Sequence, residues 1–399
     1  MTAAARREIR LKSLMEPISH YTDAVLCGDF LFMSGAAPFD RDGRLIAPGD
    51  VTKQCEATCQ SIAAMLSAAD MSFKDVVYFK VLMEEVYDGP KINPVRKAFH
   101  GDSKPGSTRV GVGHLAIPGM LLEIDCVAYK PFSGGPAKRE IRCANLFEPP
   151  SHYTDVVVCG DFAFLSGTGP VGPDGKSVHF GDPERQAHVT MENMQVMLEA
   201  AGMGFEDIAK VVCYLENVHD RPQINVARKK FFGKSRPVST LFGIRRLAIP
   251  GMNHEIEAIA YKPRDPQKPK RKEIRVPGMH KPLSHYTDAV RCGDFLFVSG
   301  QGPFDANFKL VGGDDMTKQA VRTHENLKKI MKAGGMGFED VAKTTVYMDN
   351  CEERKILNKV RKKYWGKAKP ASTLFGANRL ALPGMKLEIE TICYKPEAT

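Results

Sequence analysis

Three asparagine–arginine pairs recur at one place in a repeated helical stretch: Asn93 and Arg96, Asn225 and Arg228, Asn358 and Arg361. Residues three apart on a helix are neighbours, so each pair presents amide and guanidinium donors to one point. A guanidinium fork matches a carboxylate with two parallel hydrogen bonds, so such a pair suits an anionic group. Arg109 offers another guanidinium, two residues beyond Ser107 and therefore on the same strand face. Leu241 and Leu374 take that position in the other copies, which predicts such a cation in one site only. Asp125, Glu257 and Glu390 recur near the end of each copy. A carboxylate beside a substrate nitrogen serves as general acid or base when partly desolvated. Each reading has a plainer rival: an arginine lying over its own helix, or a carboxylate facing solvent from a strand.

The elements that must position these groups are written three times. The stretch from Ser19 to Gly35, with His20, Tyr21, Thr22 and Asp23 near its start, returns from Ser151 to Gly167 and from Ser284 to Gly300. Tyr21, Tyr153 and Tyr286 are spaced by 132 and 133 residues, far beyond the roughly 20–50-residue period of a solenoid. Whole domains are repeated, with predicted bounds 1–132, 137–264 and 271–399. Each copy reads as a short strand, two strands turned at a Cys-Gly-Asp, a helix, a buried strand, a shorter helix and two closing strands. Val51, Cys55, Cys59, Ile62, Leu66 and Ala69 step by fours and threes, predicting a helix over Val51 to Ala69. Gly202 and Gly335 suit the left-handed cap at its end in the later copies. The order βββαβαββ implies an α+β domain with both helices on one face of a mixed sheet. Three such domains can cover each other's bare faces about a pseudo-threefold axis, leaving clefts between neighbours, where small-molecule sites are commonly found.

Composition excludes several classes. The 399 residues are 43% hydrophobic and 26% charged, an ordinary globular balance. No run of 18 apolar residues is present, and the start lacks a signal peptide's apolar core, so the expected location is the cytoplasm, without a membrane partner. The ten cysteines then read as free buried thiols. Cys55 and Cys59 lack a second ligand pair, so they read as core and no metal site is expected. A net charge of +9 is mild over three domains, and its densest cluster, Lys268 to Lys272, sits in a Pro-rich linker. The chain has one tryptophan. These features argue against nucleic acid as a partner.

The pocket tyrosine, the Ser-Gly closing the hairpin at Gly35, Gly167 and Gly300, the helical Asn and the final Glu-Ile-Glu strand (Glu255 to Glu257, Glu388 to Glu390) resemble the Rid family. These are the reactive intermediate deaminases, also called YjgF, with the older label L-PSP endoribonuclease. The resemblance covers nearly the whole chain. It implies three tandem chorismate-mutase-like domains forming a trimer within one polypeptide, where linkage replaces assembly by an effective concentration of about millimolar or more. It further implies cofactor-free hydrolysis of enamines or imines of small 2-amino acids. Tyr21, Tyr153 and Tyr286 match the family's pocket tyrosine, and Asp125, Glu257 and Glu390 are matched to its late acid. One departure stands out. Ser107, Ser239 and Ser372 occupy the position of the arginine that holds the substrate carboxylate in that family. The expected activity is therefore C–N hydrolysis on a small carboxylate metabolite, with 2-aminomuconate-type deamination favoured. The alternatives are a pseudo-trimer that binds a metabolite without chemistry, or an endoribonuclease.

Overall fold

Alternation along Phe30 to Met33 sets the layering of the first repeat. Leu31 and Met33 face the helices, while Phe30 and Phe32 face the centre of the molecule. The computed structural model describes residues 6–132 and 134–396. The outer ends of the first and third predicted domains, and Ser133 of the first linker, lie outside the described residues. Repeat 1 comprises β1 (Arg7–Ile9), β2 (Ala24–Cys27), β3 (Phe30–Met33), α1 (Val51–Ser67), β4 (Val76–Met83), α2 (Gly89–His100), β5 (Gly106–Gly111), β6 (His114–Leu115) and β7 (Leu122–Tyr129). Gly28 turns the β2–β3 hairpin at a φ of 57°, which an L side chain rarely adopts.

Asp50 starts α1 by accepting from the Lys53 amide at 3.0 Å. The helix ends at Ser67, slightly before the predicted Ala69. The chain then reverses through Asp70 at φ 55°, where Gly202 and Gly335 stand in the other repeats at 72° and 75°. Ile62 and Leu66 of α1 join Ile92 and Val95 of α2 against Phe79, Val81 and Ile124 of the sheet. Both helices therefore cover one face, as the pattern required. All ten cysteines are free and buried, Cys55 and Cys59 within this helix–sheet core. No helix among the described residues is long and apolar enough to cross a membrane.

The sheet runs β1-β2-β3-β7-β4-β5, with β4 and β5 parallel and the other neighbours antiparallel. A seventh strand comes from elsewhere. Arg246–Leu247 of repeat 2 pairs with β5, Arg379–Leu380 of repeat 3 pairs with Val238–Gly243, and β6 pairs with Ala371–Gly376. Each repeat thus lends a two-residue strand to another, an element absent from the βββαβαββ reading. The bare faces meet on the pseudo-threefold axis. Phe30, Phe162 and Phe295 meet edge to face there, with centroids 5.5–5.6 Å apart. Tyr347, Phe242 and Phe375 form a second aromatic cluster shared between repeats.

Candidate functional site

The edge strand carrying Ser107 runs beside the signature hairpin of repeat 2. Thr154 donates its amide to the Pro105 carbonyl at 3.0 Å, and the Ser107 amide reaches Ser166 Oγ at 2.8 Å. The same contacts join Thr287 to Pro237 and Ser239 to Ser299, then Thr22 to Pro370 and Ser372 to Ser34. Backbone hydrogen bonds therefore fix three equivalent clefts, between repeats 1 and 2, 2 and 3, and 3 and 1.

One repeat supplies each cleft with its cation. Ser107 Oγ donates to the Phe79 carbonyl at 3.0 Å, leaving a lone pair for Arg96 Nη2 at 3.1 Å. Arg228 meets Ser239 at 3.0 Å and Arg361 meets Ser372 at 3.2 Å. The guanidinium that the strand lacks thus arrives from the helix and is held by the serine. All three arginines are 1% exposed. Burial pulls Arg96 and Arg361 down to about 10, with Arg109 adding to the effect on Arg96, so both stay charged at neutral pH. Arg96 also lies over the Phe79 ring, 4.8 Å from its centroid. Its Nε and Arg228 Nε are buried without a partner, as is Asn93 Oδ1. Asn225 Oδ1 accepts from Arg228 Nη1 at 3.5 Å, and Asn358 Oδ1 accepts from the Ser19 hydroxyl.

The next repeat supplies the tyrosine, the glycine and an acid. Asn358, Arg361 and Ser372 line one cleft with Tyr21, Gly35 and Glu123; Asn225 and Tyr286 line a common cavity at the following boundary. Burial, then the charge of the neighbouring glutamate, pushes Tyr21 and Tyr286 up to about 12 and raises Tyr153 as well. The phenols are therefore hydrogen-bond donors at neutral pH. The Ser-Gly closing the hairpin must be glycine because the acid crosses it. A Cβ on Gly35, Gly167 or Gly300 would stand 1.8, 1.9 or 2.0 Å from an Oε1 of Glu123, Glu255 or Glu388.

The acid in the cleft is not the one matched from the sequence. Asp125, Glu257 and Glu390 point to the axis, around a cavity of about 60 Å³ lined by Lys80, Lys210 and Lys343. Lys343 Nζ pairs with Asp125 at 2.9 Å, Lys80 with Glu257 at 2.7 Å and Lys210 with Glu390 at 2.9 Å. Every partner in these pairs comes from a different repeat. The cleft acids are Glu123, Glu255 and Glu388, two residues earlier on the same strand. Burial first, and then repulsion from the axial carboxylate, pushes each of them up to about 8. Each therefore holds its proton to well above the ordinary carboxyl range.

Arg109 enters the cleft between repeats 1 and 2. It is lowered by burial and held up by the charges of Glu255 and Tyr153. The shared His and Asp fix the entry to the hairpin. Asp23 and Asp155 accept from the Leu11 and Cys143 amides at 2.6 and 2.7 Å. His152 and His285 bond the Ser103 and Ser235 carbonyls of the preceding repeat.

Comparison with known proteins agrees with this architecture. The family model described as Endoribonuclease L-PSP matches residues 11–130, 143–262 and 278–395. A RutC family protein of Pyrococcus horikoshii is 38% identical over 118 residues, which span 29% of this chain and 90% of that protein. The 3-aminoacrylate deaminase RutC of Acinetobacter baylyi is 30% identical over 113 residues, 28% of this chain and 89% of that protein. A chorismatase crystal structure superposes on 80% of this chain and 93% of its own, with a TM-score of 0.53 and 15% identity, a likeness of fold.

Proposed function

Since the chain belongs to the Endoribonuclease L-PSP family, three domains to one polypeptide, we propose that it hydrolyses the C–N bond of an enamine or imine of a small carboxylate, releasing ammonia. Similarity to the 3-aminoacrylate deaminase RutC supports the reaction class. The observation that carries the reading is a buried carboxyl group, Glu123, in one cleft with the guanidinium of Arg361 held by Ser372; burial raises that carboxyl toward neutral pH.

In this reading Arg361, Ser372 and Asn358 hold the substrate carboxylate, and the Tyr21 hydroxyl donates to the bound molecule. Glu123, protonated near neutrality, gives its proton to the enamine carbon and leaves an iminium. The resulting carboxylate takes a proton from water as the water oxygen bonds to the iminium carbon. The carbinolamine collapses as Glu123 relays the hydroxyl proton to nitrogen. The sum is enamine plus water giving ketone plus ammonia, without further reagents. Glu255 and Glu388 have the same part in the other clefts. A carboxyl group with a pKa near the working pH is suited to both halves of this exchange. The ribonuclease alternative is weakened by Trp365, which is 3% exposed beneath Arg361 and offers no stacking surface.

The test is ammonia release from freshly generated 2-imino acids and from 2-aminomuconate, corrected for spontaneous hydrolysis. The full chain should exceed background. Replacing Glu123, Glu255 and Glu388 together by Gln should lower kcat by about 100-fold or more, the usual size of a general acid–base contribution. Binding without turnover would leave a metabolite-binding protein in its place.

A further inference from the structure

The leucines at Arg109's position in repeats 2 and 3 conceal a substitution that preserves charge. In repeat 1 the first residue of α2 is Gly89, and Arg109 lies on the neighbouring strand β5. In repeats 2 and 3 the corresponding helices begin with Arg221 and Arg354, and the strand residues are Leu241 and Leu374. The two positions are in contact. A Cβ on Gly89 would stand 1.9 Å from Arg109 Nη1, so the strand arginine in this rotamer occupies the space that a side chain at the helix start would take. Where the strand has leucine, the helix start has arginine.

Each alternative delivers a cation to its cleft. Arg354 lines the cleft that contains Arg361, Tyr21 and Glu123. Arg221 Nη1 reaches the Ala381 carbonyl of repeat 3 at 3.3 Å. Ala381 is the repeat-3 counterpart of Ala116, which lines the cleft beside Arg354. Arg109 Nε is buried with no hydrogen-bond partner. Arg354 Nη1 also bonds only a carbonyl, that of Cys351, at 3.0 Å. Among the described residues, none of the three arginines is ion-paired. A cation in the first turn of a helix opposes the positive end of the helix dipole, so Arg221 and Arg354 are placed where an anion would relieve both. Among the described residues the cleft glutamates form no ion pair with these arginines: Glu123, Glu255 and Glu388 lie against Gly35, Gly167 and Gly300.

We propose that every cleft has two arginine subsites, an inner one at Arg96, Arg228 or Arg361 and an outer one at Arg109, Arg221 or Arg354, and therefore takes a small molecule bearing two anionic groups. The inner guanidinium, held by serine, grips the carboxylate next to the reacting carbon. The outer guanidinium grips the second anionic group. Arg109 is then the strand cation of one cleft, and the other clefts obtain theirs from the helix. This inference deepens the deaminase reading and rests on it for the identity of the inner carboxylate.

The variant Arg109→Leu, Arg221→Gly, Arg354→Gly removes all three outer cations using only residues that other repeats already hold at those places. Equilibrium dialysis of the full chain with labelled succinate, and in parallel with labelled propionate, reads the second subsite without turnover. The unaltered chain should bind succinate more tightly, and the triple variant should lose about 10-fold or more in succinate affinity relative to propionate, the value of a charge-assisted pair. Arg109→Leu alone should weaken one succinate site of three. A third ligand, 3-phosphonopropionate, distinguishes a carboxylate from a phosphate-like outer group by whether it or succinate loses more in the triple variant. No preference for the dianions in the unaltered chain, or a preference that survives in the triple variant, overturns the proposal. Ammonia release with no dianion preference would sink this inference and spare the deaminase reading; dianion binding without ammonia release would do the reverse.

Discussion

Glu123 and Asp125 stand two residues apart on one face of β7, yet they meet different surroundings. Asp125 is ion-paired to Lys343 at 2.9 Å and accepts from Thr373 Oγ1 at 2.9 Å. Glu123 is buried without such a cation, and the charge of Asp125 adds to its desolvation, so its pKa reaches about 8. Two carboxyl groups held apart in this way are the usual basis of acid–base assignments. The shift has a consequence for stability. From about 4.5, the ordinary value, up to about 8, the folded chain keeps protons on Glu123, Glu255 and Glu388 that the unfolded chain has released. The unfolded state then binds fewer protons, and stability falls as pH rises through that window. Denaturant midpoints measured from pH 6 to 9 should decline for the chain and decline less for the variant with Gln at all three positions. Parallel declines would show that these carboxyl groups are not held neutral.

At the scale of elements, the repeat made most of the architecture legible. The buried strand expected between the two helices of each copy is Val76–Met83, Ile208–Leu215 or Val341–Met348. The helical Asn–Arg spacing also carried through, because i and i+3 neighbours stay neighbours in any helix. The acid was missed for a physical reason: Glu123 and Asp125 share a strand face, and alternation cannot say which of two same-face residues meets the axis and which the cleft. The pairing of Gly89 with Arg109 was hidden because it joins a helix start to a strand across the intervening chain. The two-residue strands were too short to show a period. Asp70 marks a place where repeat 1 lags its siblings. It is exposed at φ 55°, where repeats 2 and 3 use glycine. Asp70→Gly should relieve left-handed strain at some cost in chain entropy, for a net gain of about 0.5 kcal/mol. A rise in the urea midpoint checks it, and a fall would show that the Asp70 side chain contributes more than its backbone costs.

For the whole molecule, the axis is where three domains become one. The exchanged strands and hairpin contacts close the ring in backbone hydrogen bonds, and the Phe30, Phe162 and Phe295 cluster buries apolar faces that a single repeat would leave exposed. Between the aromatic clusters lie three cations and three carboxylates, each paired across a repeat boundary. Glu257 accepts from Tyr78 and Tyr214 at 2.7 Å each while pairing with Lys80. Removing one partner strands a buried charge, which is costlier than never having had the pair. Lys80→Met should therefore destabilise the chain by about 3–5 kcal/mol. Adding Glu257→Gln, which removes the stranded charge and keeps an acceptor for both tyrosines, should restore most of the loss. The double variant also tests the link from axis to cleft. Without the Glu257 charge, Glu255 loses part of what raises it, so the alkaline limb of ammonia release from that cleft should move to lower pH. Chemical unfolding and a pH–rate profile read the two effects separately. Additive losses in the double variant would mean that the axial pair is not a pair in solution, and the three domains would then be held by strands and aromatic faces alone.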